Sequence, residues 1–367
     1  MEQGKQIPIE VLAQFDIPGR IISIEELKRG HINRTYVATW SDGGASRKRY
    51  VHQVVNHRIF QDIDGLMRNL DKVTRTLGER KIAGLLRGDE RTLTLIKAKS
   101  GATHLQDEAG EYWRTFEFLE DTVTHDVCES PAVAAEAAAI LGRFQRALLG
   151  LDPSSFAETI PYFVDGERRY KAFMEAIASD PLGRAKGCQA EIEFALERGD
   201  FGASLIRAVR SGAVPCRVAH NDMKLNNVLF DRGGVRAVCL LDLDTCMGST
   251  VTYDFGDLVR NTAVPCAEDE QDFSKVVFDM SLYRAICQGY MSEMGKELTK
   301  AEVELLPTAP RVLALILGVR FLTDYLLGDT YFRVHRKSQN YERARTQFQI
   351  VRMMERLESE MRAELRG

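Results

Sequence analysis

The chain has 367 residues, too many for one small core and enough for two lobes or domains. Its 44% apolar and 28% charged residues are those of an ordinary soluble protein, and a net charge of −4 gives no reason to expect a nucleic-acid partner. No apolar run is long enough to span a bilayer, Met1–Gln6 lacks the apolar stretch of a secretory signal, and the seven cysteines form no Cys-x-x-Cys pair; a cytoplasmic chain with reduced thiols and no membrane or zinc site is expected.

In chain order, the first predicted strands are Arg20–Ile24, Thr35–Trp40 and Arg49–Val55, the last two joined by a hairpin turn at Ser41–Gly44. Gly30 falls between the first two, where either a plain hairpin glycine or a phosphate-covering turn belongs. Asp62 to Leu77 places Ile63, Leu66, Met67, Leu70, Val73 and Leu77 at helical spacing. Thr92–Ile96 and Tyr112–Leu119 read as two further strands. Beyond Ser130 the pattern turns helical: Pro131 opens an Ala- and Leu-rich helix to Leu149. Residues 268 to 362 are again mostly helical.

One segment interrupts the helices. It reads His220-Asn221-Asp222-Met223-Lys224-Leu225-Asn226-Asn227, then the apolar runs Val228–Phe230 and Val238–Leu241 about a turn at Asp231–Gly234, then Asp242-Leu243-Asp244. A carboxylate able to take a hydroxyl proton (Asp222), a nearby cation (Lys224) and two oxygen donors suited to Mg²⁺ (Asn227 and Asp242) form a set for phosphoryl transfer. The hairpin would bring Asn227 and Asp242 to one end. Asp244, two residues on, is expected on the same strand face as Asp242, supporting the metal or touching the substrate. His220 is expected to brace the loop rather than carry protons.

With Gly30-His31-Ile32-Asn33, the His220–Asp257 region and the block Gly318-Val319-Arg320 through Tyr331-Phe332, Asn340 and Arg345-Thr346-Gln347, the chain resembles the aminoglycoside-phosphotransferase branch of the protein-kinase-like superfamily. Within that branch it is most similar to the N-acetylhexosamine 1-kinases. The resemblance implies an α+β, protein-kinase-like bilobal fold. Residues 1–120 form a small mixed β-sheet N-lobe that binds nucleotide, and residues 121–367 a larger α-rich C-lobe with the catalytic hairpin and substrate site. It implies ATP and Mg²⁺ as cofactors, with Gly30, His31, Asn33, Gln53, Glu117 and Leu119 as nucleotide-binding candidates and the hinge near Glu117–Asp121 receiving adenine. It makes Asp222 and Lys224 catalytic, and Asn227 and Asp242 metal-binding. Asp222, Asp244, Arg320 and Tyr331 are the substrate-binding candidates. It assigns Asp254 and Asp257 to bracing the catalytic loop, by capping a helix or bonding backbone amides. A monomer or homodimer is expected.

The expected reaction phosphorylates a sugar hydroxyl, the anomeric one of GlcNAc or GalNAc. An aminoglycoside, choline or another small alcohol is the alternative acceptor, although Arg320, Arg333, Arg336 and Lys337 make the C-terminal block unsuited to cations. Kinase-like folds place a Lys on the third strand, whereas His52 and Gln53 fill its centre here. That departure supports a third possibility, a catalytically silent nucleotide- or sugar-binding regulator. Arg320, in an apolar helix, has an internal alternative as well, an ion pair with Asp324 at i, i+4.

Overall fold

The computed structural model describes residues 7–27, 32–44 and 46–365, so the expectations for Gly30 and His31 lie outside the described residues. The chain divides into two compact units, Met1–Thr122 with Phe156–Ile160, and Val123–Ser155 with Pro161–Gly367.

The first unit is built on an antiparallel sheet in the order Arg20–Leu27, Arg34–Ser41, Arg47–Val55, Tyr112–Glu117, Leu95–Ile96, with Leu105–Gln106 also paired to Tyr112–Glu117. Alternation decides its two faces. Tyr36, Ala38, Trp40, Tyr50, Val54 and Trp113 share one face with Leu12, Phe15 and Ile17 in an aromatic-rich core. Gln53 and Arg114, cross-strand partners, lie on the other. The predicted strand at 92–96 shortens to Leu95–Ile96, although the Thr94 carbonyl still accepts the Glu117 N–H at 3.0 Å. The helix runs Ile63–Ile82, five residues past its predicted end, with Asp62 capping the Gly65 N–H at 2.8 Å. From this helix Asn69 clamps Ala157, donating to its carbonyl at 2.8 Å and accepting its N–H at 3.0 Å. That clamp fixes the returning segment.

His52 is fully buried in the aromatic core. The Trp40 indole N–H, which can only donate, reaches its Nε2 at 3.3 Å, so the ring proton sits on Nδ1 and faces Thr115 Oγ1 at 2.7 Å. Burial lowers its pKa from 6.5 to about 4. The unfolded chain therefore takes up a proton that the folded one refuses, and stability falls as pH drops from 6.5 towards 4, by up to about 3 kcal/mol. His52→Gln is expected to flatten that acid limb in denaturant titrations. An unchanged slope would remove His52 as its source.

The second unit is mainly helical. Pro131–Leu148 packs on Met280–Met294, and Ala309–Leu327 packs on Val251–Thr262, Gly166–Ser179 and Gln339–Arg356. A Cβ on Gly289 would lie 2.2 Å from the Ala135 carbonyl oxygen, so glycine permits the close approach of the first pair. Two short ladders sit among these helices: Val228–Asp231 with Ala237–Leu240, and Arg217–Ala219 with Met247–Ser249. The α+β, protein-kinase-like architecture expected from the sequence is present. Among the described residues, no helix is long and apolar enough to cross a membrane.

Candidate active site

The loop after Arg217–Ala219 is held from beneath. Asn221 takes a left-handed backbone (φ 65°), a conformation asparagine tolerates better than most side chains. Its amide donates to the Ala219 and Thr245 carbonyls at 3.1 and 3.0 Å. Asp254, wholly buried, accepts the N–H groups of His220 and Asn221 at 2.9 and 2.7 Å and the Gln145 amide at 2.9 Å. Tyr290 in turn donates to Gln145 at 2.6 Å. The backbone-bonding half of the expectation for Asp254 thus matches the geometry, and the capping half does not. Both Asp254 and Asp257 lie inside Val251–Thr262, whose cap is Thr250, and Asp257 pairs with Arg260 at 2.7 Å. Asn261 of the same helix accepts the Leu225 N–H at 2.9 Å.

On this base Asp222 keeps 19% of its side chain exposed and meets Lys224 Nζ at 2.8 Å. Burial pushes the Asp222 carboxyl up, but the charge and hydrogen bond of Lys224 outweigh it and hold the group ionised below its usual range. Despite its own burial, the Lys224 ammonium is stabilised by Asp222 and Asp257. The cation expected to steady a phosphate is thus paired with Asp222.

The hairpin does bring the two proposed metal ligands to one end. The Leu241 N–H donates to the Asn227 carbonyl at 2.8 Å, and the Leu241 carbonyl faces His220 Nε2 at 2.8 Å. Asn227 Nδ2 donates to the Asp222 carbonyl at 2.8 Å, which fixes the amide and leaves its oxygen as the group able to take a cation. Asp242 follows, exposed and left-handed at φ 56°. Among the described residues no three His, Cys, Asp or Glu side chains gather as a metal cage. One amide oxygen and one carboxylate fit Mg²⁺, which takes few protein ligands beside phosphates and water.

The strand expectation for Asp244 needs correcting. The ladder ends at Leu240, the left-handed Asp242 breaks the alternation, and Leu243–Thr245 forms a tight 3₁₀ turn. Asp244 is therefore 2% exposed, while Asp242 faces outward.

Arg320 and Tyr331 are brought together, and the Arg320–Asp324 ion pair does not form among the described residues. Asp324 instead accepts the N–H groups of Thr330, Tyr331 and Phe332 at 2.8, 2.8 and 2.9 Å and the Asn340 amide at 2.8 Å, folding the chain back after the helix. The Arg320 guanidinium lies 5.3, 5.8 and 5.3 Å from the ring centres of Phe163, Tyr331 and Phe332. In the same block, Arg336 is neutralised by Asp269 and Glu342.

In the first unit, Asn33 Oδ1 accepts the Asn56 N–H at 3.0 Å, and Glu117 and Leu119 line a cleft with Lys81, Arg91, Thr92 and Thr94. Gln53 is bound by a residue the sequence reading missed. Its Oε1 accepts Arg114 Nε and Nη2 at 3.0 and 2.8 Å, and its Nε2 donates to Thr35 Oγ1 at 3.1 Å. The third strand has Arg47, Lys48 and Arg49 at its start and no cation at its centre, where Arg114 reaches Gln53 from the neighbouring strand. An arginine inside an otherwise buried strand pattern was the available signal.

A model of a phosphotransferase enzyme family (APH) matches residues 23–285, well over half of the chain. The chain belongs to this family. The matched span of this phosphotransferase includes the Asp222 loop and hairpin and stops before Arg320 and Tyr331. Its fold is similar to that of an aminoglycoside phosphotransferase from Alicyclobacillus acidocaldarius, at TM-score 0.62 and 13% identity over 100% of this chain and 98% of that one. A microcompartment-associated aminopropanol kinase is similar at TM-score 0.62 and 17% identity, over 97% and 98% of the two chains. The choline kinase of Cryptosporidium parvum is similar at TM-score 0.53 and 14% identity, over 95% and 94%.

Proposed function

We propose that this phosphotransferase moves the γ-phosphoryl group of ATP to a hydroxyl of a small sugar, with the anomeric hydroxyl of an N-acetylhexosamine as the acceptor to test first. The observation that carries the reading is a partly open Asp222 side chain 2.8 Å from Lys224, with Asn227 bonded to the same loop and Asp242 next to Leu241, which pairs with Asn227. Asp222 accepts the hydrogen bond of the acceptor hydroxyl and orients its lone pair. The oxygen attacks the γ-phosphorus, the bond to the β–γ bridging oxygen breaks, ADP leaves, and the hydroxyl proton passes to Asp222. Lys224 turns towards the transferred group as charge builds on it. Mg²⁺, held by Asn227 and Asp242 with the nucleotide phosphates, would neutralise phosphate charge.

Adenine docks on the backbone between Glu117 and Leu119. Arg114, steered by Gln53, supplies the phosphate anchor that the centre of the third strand lacks. Arg114→Met is then expected to raise the KM for ATP about tenfold, the worth of one charge-assisted contact, and to leave the acceptor KM nearly unchanged. Arg114→Lys should recover part of the loss. An ATP KM insensitive to both variants removes Arg114 from the nucleotide site.

The solved relatives named for aminopropanol and choline take acceptors that carry an amine or ammonium. Arg320, without a carboxylate beside it among the described residues, disfavours such acceptors here. The silent-regulator reading is not favoured either, because the full transfer set is present. ADP release measured across GlcNAc, GalNAc, glucose, galactose and choline is the direct test. No turnover on any sugar by the folded protein removes the sugar-kinase reading.

A further inference from the structure

Two neighbouring arginines of the second unit form no ion pair with an acid among the described residues. Arg169 is on the helix Gly166–Ser179 and Arg320 on Ala309–Leu327, which pack against each other. The acids next to them in sequence are engaged elsewhere. Asp165 binds Arg210 at 2.6 Å and caps the Arg168 N–H at 3.1 Å, while Asp324 spends its oxygens on backbone N–H groups and Asn340. Arg169 Nη2 has one long bond, 3.4 Å to the Phe163 carbonyl, and its buried Nε has no partner. Burial and the like charge of Arg320 lower the Arg169 pKa to about 10. The Arg320 guanidinium faces the rings of Phe163, Tyr331 and Phe332 and Arg169 meets the Phe163 carbonyl, and holding two such like charges side by side is unfavourable unless an anion joins them. Ala309–Leu327 also packs on Val251–Thr262, the helix whose Asp254 and Asn261 hold the loop that carries the proposed base.

We propose that the acceptor carries an acidic group, a carboxylate or a phosphate, seated between Arg169 and Arg320 while its reacting hydroxyl lies at Asp222. The planar forks of the two arginines suit either oxyanion, and the rings of Phe163, Tyr331 and Phe332 flank Arg320. This rests on the sugar-kinase reading and narrows it to acidic sugars.

The test compares each acid with its neutral parent by ADP release: GlcNAc 6-phosphate against GlcNAc, and glucuronic acid against glucose. One acidic sugar is expected to exceed its parent in kcat/KM by on the order of tenfold, and the arm that does so identifies the group. Arg169→Met should bring that ratio near one, with Arg169→Lys between. Thermal unfolding of the unmodified protein with each sugar, without ATP, covers the case of a variant that fails to fold. There the preferred acidic sugar raises Tm more than its parent. Turnover of the neutral parents at equal or higher kcat/KM, or a preference that persists in folded Arg169→Met, overturns the acidic acceptor and leaves the kinase reading standing. Absence of turnover on every sugar overturns the kinase reading, and the thermal shifts then decide the subsite by themselves.

Discussion

Asp222→Asn is expected to lower kcat by about 10²–10⁴-fold, the range for losing a positioned general base. The amide is isosteric and still touches the acceptor, so the KM values for both substrates should move little. Lys224 loses its 2.8 Å ion pair but keeps the nearby charge of Asp257, so the fold should survive. Single-turnover rates with saturating ATP isolate the chemical step from product release. A variant that retains kcat within about threefold would show that the hydroxyl proton goes elsewhere. Lys224→Met is the useful companion, because it frees the Asp222 carboxyl from the charge that holds it down, and its pH–rate profile should shift to higher pH on the acid side.

The second large effect is structural. Asp254→Ala leaves the buried N–H groups of His220 and Asn221 and the Gln145 amide without their acceptor. Unsatisfied buried donors cost about 1–3 kcal/mol each, and partial relaxation brings the expected loss to about 3–5 kcal/mol of unfolding free energy. Burial raises the Asp254 pKa, while His220 and the donors around it oppose that rise. Asp254→Asn should be intermediate, since one carboxylate oxygen is replaced by a donor facing donors. Denaturant midpoints at unchanged m-value read the effect directly. A loss below about 1 kcal/mol for the Ala variant would mean that the catalytic loop holds its shape without this brace. Activity should fall with stability here, in contrast to Asp222→Asn, where it falls alone.

Much of the site was legible because its residues lie close in sequence. His220 to Asn227 and the two apolar runs form one local unit, so spacing alone put Asn227 and Asp242 at the same end. The misreadings arose where a backbone leaves the regular pattern or where partners come from afar. Nothing in Asp242-Leu243-Asp244 announces a left-handed residue, and that single φ sent Asp244 inward. The i, i+4 spacing of Arg320 and Asp324 suggested a pair, but a carboxylate that can accept several backbone N–H groups is better spent at the end of a helix. Gln145 and Tyr290, 109 and 145 residues from their partners, gave no local sign of their part in the brace. Arg114 was hidden differently: its role depends on the register between Arg47–Val55 and Tyr112–Glu117, which composition does not set.

The clamp between Asn69 and Ala157 has a consequence for the protein's synthesis. The first unit draws its last segment, Phe156–Ile160, from beyond the first long helix of the second, so its buried contacts cannot be completed while the ribosome has delivered only the residues up to Thr122. Its sheet can pair early, but the Asn69 amide and the underside of the Ile63–Ile82 helix wait for some forty more residues to emerge. Folding of the two units is therefore interleaved along the growing chain, and a fragment meant to contain the first unit needs the chain through Ile160.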